Sequence, residues 1–234
     1  MEFPKHPFRT HGGAAVPHHK NTWELPTATM PPPERVILPM QQHLGAPCVP
    51  TVKKGDTVFV GTVVGDSDAM YPHRCTPPSR ARWRELTTVM PTGGQMTQAV
   101  VIRSDGKMEK DPAIYPPRIT TKEELAAAAR SAGLVGLGGA GFPAHVKLNV
   151  PEGKQIDTLI VNVAECEPYV TSDHREALEN GKNVLEGIYK VKEILEVQRV
   201  LIAVEDNKPD VIQRLSEIAA TPSGTPWTRC GCCP

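Results

Sequence analysis

Proline limits the first half of this chain more than any other residue type. Twenty-four of the 234 residues are proline, and the runs Pro31-Pro32-Pro33, Pro77-Pro78 and Pro116-Pro117 all fall before residue 120. Inside a helix, proline removes a hydrogen-bond donor and clashes with the preceding turn. The first half is therefore read as short strands and loops. Arg35-Val36-Ile37-Leu38 is a short strand, followed by a turn at His43–Pro47. From Val52 to Val64, β-branched residues flank the turn pairs Gly55-Asp56 and Gly61-Thr62, which is hairpin chemistry. Ala99-Val100-Val101-Ile102 is another strand. Residues 70–89 show neither strand nor helix period, and Met70–Arg84 carries four arginines and three prolines, so the segment is expected to be an exposed basic loop. The proline-rich stretch Asp111–Arg118 marks a domain boundary.

The second half alternates. Thr121-Lys122-Glu123-Glu124 fits a capping box that opens a helix, and Gly133 is its expected stop. Ile156–Val163 is a buried strand. Leu178, Leu185, Ile188, Val191 and Leu195 mark one face of a single long helix, weakened in its first turns by Gly181. Arg199–Glu205 is a second buried strand. Asn207 is expected to cap a further helix with Pro209 in its first turn. Strand, helix, strand, helix implies a mainly parallel sheet with right-handed crossovers.

Formal net charge is zero, so a clustered basic surface for nucleic acid is not indicated. The sequence has no apolar run of the roughly 18 residues a membrane-spanning helix needs. The N-terminus lacks the apolar stretch of a secretory signal. The chain is expected to be cytoplasmic, with membrane attachment only through partners. Three of its six cysteines fall in the C-terminal Cys230-Gly231-Cys232-Cys233-Pro234, a spacing unlike the C-x-x-C-x-x-C-x-x-x-C-P run of a ferredoxin-type cluster. No metal site is read there. His18, His19, His43 and His145 have no ligand spacing either.

The strongest chemical signal is the stretch Gly133–Lys147. It contains G-x-G-x-x-G at Gly136, Gly138 and Gly141, with Gly139 between them. The ordinary dinucleotide fingerprint needs a strand before it and a helix after it. Here a helix precedes and Pro143 follows, so a simple Rossmann reading fails on context. Clustered glycines still expose consecutive backbone N–H groups, which can wrap a phosphate or let a flat ring lie against the chain. Lys147 can supply the counter-charge and Phe142 can stack on a ring. A plain structural turn is the alternative, but a turn needs only one or two such glycines.

The second signal is Asn162–Tyr169, directly after the buried strand, where ligands of open α/β sheets bind. Asn162 can hydrogen-bond a ring imide. Glu165 and Glu167 would point the same way in an extended segment and could hold ribose or ring hydroxyls. A solvated acidic loop is the alternative. Cys166 is read as a buried spectator thiol. Asp173 is expected to cap the long helix, with His174 and Arg175 as surface residues of its first turn.

These two motifs together resemble the RnfC subunit of the Rnf complex, a membrane-bound ferredoxin:NAD oxidoreductase, and more distantly the flavin-bearing NADH-oxidising subunit of respiratory complex I. The resemblance extends over His11-Gly12-Gly13, His18–Lys20, Val36–Pro39, Gln42–Pro47, Val52–Asp56 and Ile202–Pro209. The pattern V-x-x-G-D-x-V followed by G-x-x-V is also that of a barrel-sandwich half, as in biotinyl and lipoyl domains. The fold implied is α/β: an N-terminal barrel-sandwich hybrid β domain over residues 1–110, a complex I flavoprotein-like domain over 119–221, and an aberrant tail over 222–234. The resemblance implies FMN contact by Gly136, Gly138 and Lys147 of the loop that also holds Gly139 and Gly141, and by Asn162 and Glu165 of the acidic stretch. It implies nicotinamide-side contact by Phe142 and Glu167. It also implies electron transfer to [4Fe–4S] clusters whose ligands this sequence lacks, in a complex at the cytoplasmic face of the membrane.

Residues 70–89 and 222–234 depart from the family pattern, so the β domain is expected to be disrupted, by local frameshifts or a damaged gene. That keeps a second reading open, a truncated and inactive remnant. A third, a carrier or docking β domain, would need a lysine flanked by methionines at a hairpin tip, and no Met-Lys-Met occurs.

Overall fold

The computed structural model describes residues 16–67, 74–75, 81–91, 93–220 and 228–232. The chain divides into two compact units, residues 29–151 and a discontinuous unit made of residues 1–28 with 152–234. The proline-rich stretch 111–118 lies inside the first of these.

Unit 29–151 holds seven strands and two helices: β1 (Arg35–Pro39), β2 (Val49–Pro50), β3 (Thr57–Val58), β4 (Gly65–Asp66), β5 (Arg74–Cys75), β6 (Ala81–Val89), β7 (Thr97–Ser104), α1 (Lys122–Ser131) and α2 (Ala144–Leu148). One antiparallel sheet runs β1-β7-β6-β3 and a second runs β2-β4-β5. Strand β7 is central because Ala99, Val100, Val101 and Ile102 are all buried. A strand buried on both faces and flanked on both edges reads as a continuous apolar run, not as an alternation.

The core gathers Met40, Cys48, Val58, Val64, Val100 and Ile102. Gly65 is required in it, since a Cβ there would lie 2.8 Å from Met40 Sδ and 3.2 Å from Cys48 Cβ. Helix α1 opens with the expected capping box, Glu124 N donating to Thr121 Oγ1 at 3.2 Å and Thr121 N to Glu124 Oε2 at 3.2 Å. It stops at Gly133, which takes φ 65° and donates its amide to Arg130 O.

The expected structureless loop at 70–89 is corrected over its second half. Strand β6 pairs with β7 along nearly its whole length, with one irregularity between Trp83 and Glu85. Alternating arginines at 80, 82 and 84 mask the period, while Thr87-Thr88-Val89 supply β-branched strand formers. The open edge of a buried β7 demands a partner there. Residues 70–73 and 76–80, like His11-Gly12-Gly13, lie outside the described residues.

The discontinuous unit is a three-stranded parallel sheet, β10-β9-β8, made of β8 (Thr158–Asn162), β9 (Arg199–Glu205) and β10 (Thr228–Cys232). Its helices are α3 (Ser172–Glu179), α4 (Gly181–Leu195) and α5 (Pro209–Ala219). Val163, Leu185, Ile188, Val200, Val204, Val211 and Leu215 form the core. Strand β10 adds regular pairing within a tail read as aberrant. Residues 222–227 and 233–234 of that tail lie outside the described residues.

The single long helix is corrected to two, broken at Asn180. Gly181 opens α4 because α5 approaches it closely. A Cβ there would lie 3.1 Å from Ile218 Cδ1 and 3.2 Å from Leu215 Cδ2. Asn207 is not the cap of α5. Lys208 holds that position without a side-chain cap bond, and Pro209 is the first helical residue. Among the described residues, no helix is long and apolar enough to cross a membrane.

Candidate functional site

The glycine stretch is a loop pinched at its base. Gly136 N donates to Phe142 O at 2.9 Å, Ala144 N donates to Leu134 O at 2.9 Å, and Val135 bridges Pro143. Between these ties the chain bulges outward, and Leu137 is 93% exposed. Gly139 and Gly141 take φ 115° and 60°. Nothing lies within 4 Å of where a Cβ on Gly138 or Gly139 would sit. Their backbone therefore faces open space. Gly141 does a different job. A Cβ there would meet Gln42 O and His43 Cα at 3.1 Å, and Gly141 O accepts from Leu44 N at 3.0 Å. The loop is thus anchored on the turn 42–47.

Helix α2 sends Lys147 back toward the loop. Its Nζ lies 5.8 Å from the Phe142 ring centroid and 3.9 Å from the Cβ position of Gly136. Gly136, Phe142 and Lys147 lie close together, while Gly138 and Gly139 stand exposed on the same loop. His145 on the same short helix is buried, and neither ring nitrogen has a hydrogen-bond partner among the described residues. Burial, helped by the Arg130 charge, holds its pKa below the ordinary 6.5. The imidazole is kept neutral.

The acidic segment is built differently. Asn162 ends β8 exposed, with its Oδ1 accepting the Ala164 amide at 3.0 Å, a local turn. Glu165 and Glu167 do not share an environment. Glu167 is exposed, whereas Glu165 is 1% exposed. The chain leaves the extended conformation after β8, so the two-residue period no longer applies.

Every face of the Glu165 carboxylate is engaged. Its Oε1 accepts from Asp173 N at 2.8 Å and from Ser172 Oγ at 3.3 Å. Its Oε2 lies 3.5 Å from Lys20 Nζ and 3.4 Å from Lys208 Nζ. Lys208, 4% exposed, also reaches Glu205 Oε2 at 2.7 Å, and that same oxygen accepts the Glu165 amide at 3.2 Å. Thr171, not Asp173, is the N-cap of α3 and makes no side-chain cap bond; the Glu165 carboxylate meets the Asp173 amide instead and supplies negative charge at the helix N-terminus. Asp173 sits in this crowd with its pKa raised, first by burial and then by the Glu165 charge.

Two further expectations are corrected. Cys166 is exposed, not buried. His174 is buried, not a surface residue, with Nε2 2.7 Å from Asp210 Oδ2. Despite burial, that hydrogen bond holds Asp210 below the usual carboxylate range. Lys20 is a residue of this segment that local pattern does not reveal. Its Nζ donates to the backbone oxygens of Glu165, Glu167 and Val170 at 2.8, 2.9 and 2.7 Å. No local spacing predicts a contact across 145 residues. Among the described residues, no group of three or more His, Cys, Asp or Glu is placed to hold a metal ion.

Residues 8–107 match the RnfC Barrel sandwich hybrid domain, and residues 129–225 match the Nuo51 FMN-binding domain. The chain belongs to the RnfC family. It is similar to a subunit of the proton-translocating ferredoxin:NAD(+) oxidoreductase complex of Clostridium ljungdahlii, at 39% identity over 85% of this chain and 44% of the relative. It is 40% identical to a subunit of the Na(+)-translocating ferredoxin:NAD(+) oxidoreductase complex of Acetobacterium woodii, over 87% of this chain and 47% of the relative. Identity to a subunit of the ion-translocating oxidoreductase complex of Rhodobacter capsulatus is 36%, over 91% of this chain and 42% of the relative. The chain thus spans less than half the length of these relatives. The two family matches leave a gap at 108–128, close to the boundary read at 111–118. The FMN-binding match begins inside the compact unit 29–151 and ends in the discontinuous one.

Proposed function

We propose that this chain binds FMN through its glycine loop and NAD(H) through side chains that include Phe142 and Glu167, as part of a membrane-bound ferredoxin:NAD oxidoreductase complex. The observation that carries the reading is the open backbone at Gly138 and Gly139 beside the Lys147 ammonium and the Phe142 ring. That donor set fits a flavin mononucleotide. Unobstructed backbone N–H groups and an ammonium suit its phosphate, and glycine backbone without Cβ atoms lets its flat ring lie close. When bound, FMN supplies the exchange between two-electron hydride chemistry and one-electron transfer.

Within this reading the chain's own residues divide their work. Gly136, Gly138 and Gly139 admit the ligand close to the backbone, and Gly141 fixes the loop. Lys147 neutralises phosphate charge. Phe142 stacks on the nicotinamide side. In the acidic segment, exposed Asn162 and Glu167 offer an amide and a carboxylate to ring or ribose groups. Glu165 acts from behind, by holding that segment. Onward transfer to [4Fe–4S] clusters would need ligands outside this sequence, in which the C-x-x-C-x-x-C-x-x-x-C-P run does not occur. Partner proteins of the complex hold the chain at the cytoplasmic face of the membrane.

The test is an FMN titration of residues 1–234 followed by flavin fluorescence. Saturable quenching, weakened in Lys147→Ala and abolished in Gly138→Val, supports the site. A folded chain that leaves FMN fluorescence unchanged overturns it.

A further inference from the structure

We propose that Lys20 is a positioning residue for the acidic segment, its ammonium acting as a built-in cation around which residues 165–170 are wrapped. Three backbone carbonyl oxygens, those of Glu165, Glu167 and Val170, converge on Lys20 Nζ at 2.7–2.9 Å, with Glu165 Oε2 at 3.5 Å. Carbonyl dipoles aimed at one point repel each other. They adopt that arrangement only around a positive charge, and a lysine ammonium has three donors to match three acceptors.

The rest of the N-terminal segment closes over the same loop. Tyr169 N donates to His18 O at 2.9 Å, and Thr22 and Thr171 share a hydroxyl hydrogen bond at 2.7 Å. The His19 and Tyr169 rings stack with centroids 5.0 Å apart and planes 9° from parallel. Both of those residues hold positive φ, 48° and 67°, a conformation that non-glycine residues adopt only when their surroundings impose it.

The match to the FMN-binding domain begins at residue 129 and so does not contain Lys20. The inference is that this domain's acidic loop is completed from the other end of the chain. The link to flavin rests on the function proposed above; the conformational claim does not.

The experiment uses the full chain with Lys20→Ala and Lys20→Met, the second keeping the stem's packing without the charge. The first readout is hydrogen exchange of the amides of residues 165–173. Loss of a charged hydrogen-bond hub should speed their exchange by about tenfold or more, with unit 29–151 unchanged. In Lys20→Ala ethylammonium should slow it again, because a primary ammonium can refill the cage; in Lys20→Met, whose side chain fills that space, it should not. Tetramethylammonium at equal ionic strength should not, because it has no N–H to donate. The second readout is the FMN titration, in which both variants should lose affinity and Lys20→Ala alone should regain it, with ethylammonium only.

Wild-type protection at 165–173 in Lys20→Met, or a loss in Lys20→Ala that ethylammonium does not reverse, overturns the inference. Failure of the unmutated chain to bind FMN overturns the proposed function alone. The exchange result then still decides the role of Lys20.

Discussion

The glycine loop and the acidic segment are the two motifs that stand out in this chain, and their polar groups are in opposite states. At Gly138 and Gly139 the backbone faces open space, and the nearby Lys147 lies over an aromatic ring. In the acidic segment the most conspicuous charge, Glu165, is buried and saturated by two lysines, a hydroxyl and a helix-terminal amide. Charge in a sequence therefore says little about availability. A carboxylate one residue from an exposed thiol can be a structural hub, while bare backbone can be the ligand-facing surface. One loop leaves its backbone open, and the other has used its groups to hold its own shape.

The sharpest break of that contrast is Lys208→Ala. It removes one of two cations from a buried pair of glutamates, and leaving buried carboxylates uncompensated costs about 3–5 kcal/mol. Urea denaturation should show that loss in the discontinuous unit. Lys147→Ala should leave the same curve within about 0.5 kcal/mol of the unmutated chain. Equal losses in the two variants would erase the distinction between structural and ligand-facing lysines.

A smaller contrast lies within the glycine loop. Gly141→Ala adds a Cβ at φ 60° against the backbone of Gln42 and His43, and should cost about 1–2 kcal/mol. Gly138→Ala meets nothing and should cost only a few tenths by the same measurement. This pair separates the glycine that anchors the loop from the one that opens it.

The weakest lever is pH. His145 has a folded-state pKa below 6.5, so the unfolded chain takes up its proton first. Its neutral form costs nothing above pH 6.5, and stability of unit 29–151 falls as pH drops below that value. His43, lowered by burial, acts with the same sign. His145→Leu should flatten the slope of stability between pH 7 and 5 in denaturation curves. An unchanged slope would remove His145 from the account.

Strand β9 and the start of α1 are legible from sequence because their signals are local. Arg199–Glu205 encloses an uninterrupted apolar run, and the capping box at Thr121 needs only four residues. The openness of the glycine loop is legible for the same reason, since its glycines act through their own missing side chains. Strand β6 is not legible, because its pairing is dictated by a buried neighbour while its own arginines hide the period. Neither is the break at Asn180, which answers to the approach of α5 at Gly181. Glu165 reads as ligand-facing because its two lysine partners, 145 and 43 residues away, leave no mark on the local pattern. His174 reads as surface because its partner Asp210 is 36 residues distant.

The Lys20 contact also sets an order of events in synthesis. Its acceptors lie 145 to 150 residues downstream. At the usual elongation rate of about 5–20 residues per second, those carbonyls leave the ribosome roughly seven to thirty seconds after the lysine does. Until then the N-terminal segment has nothing to close on, while residues 29–151 can collapse as soon as they emerge. The segment around Lys20 must stay unpaired with residues 165–170 through that interval. A chaperone or a neighbouring nascent protein would meet residues 29–151 folded and that segment still open.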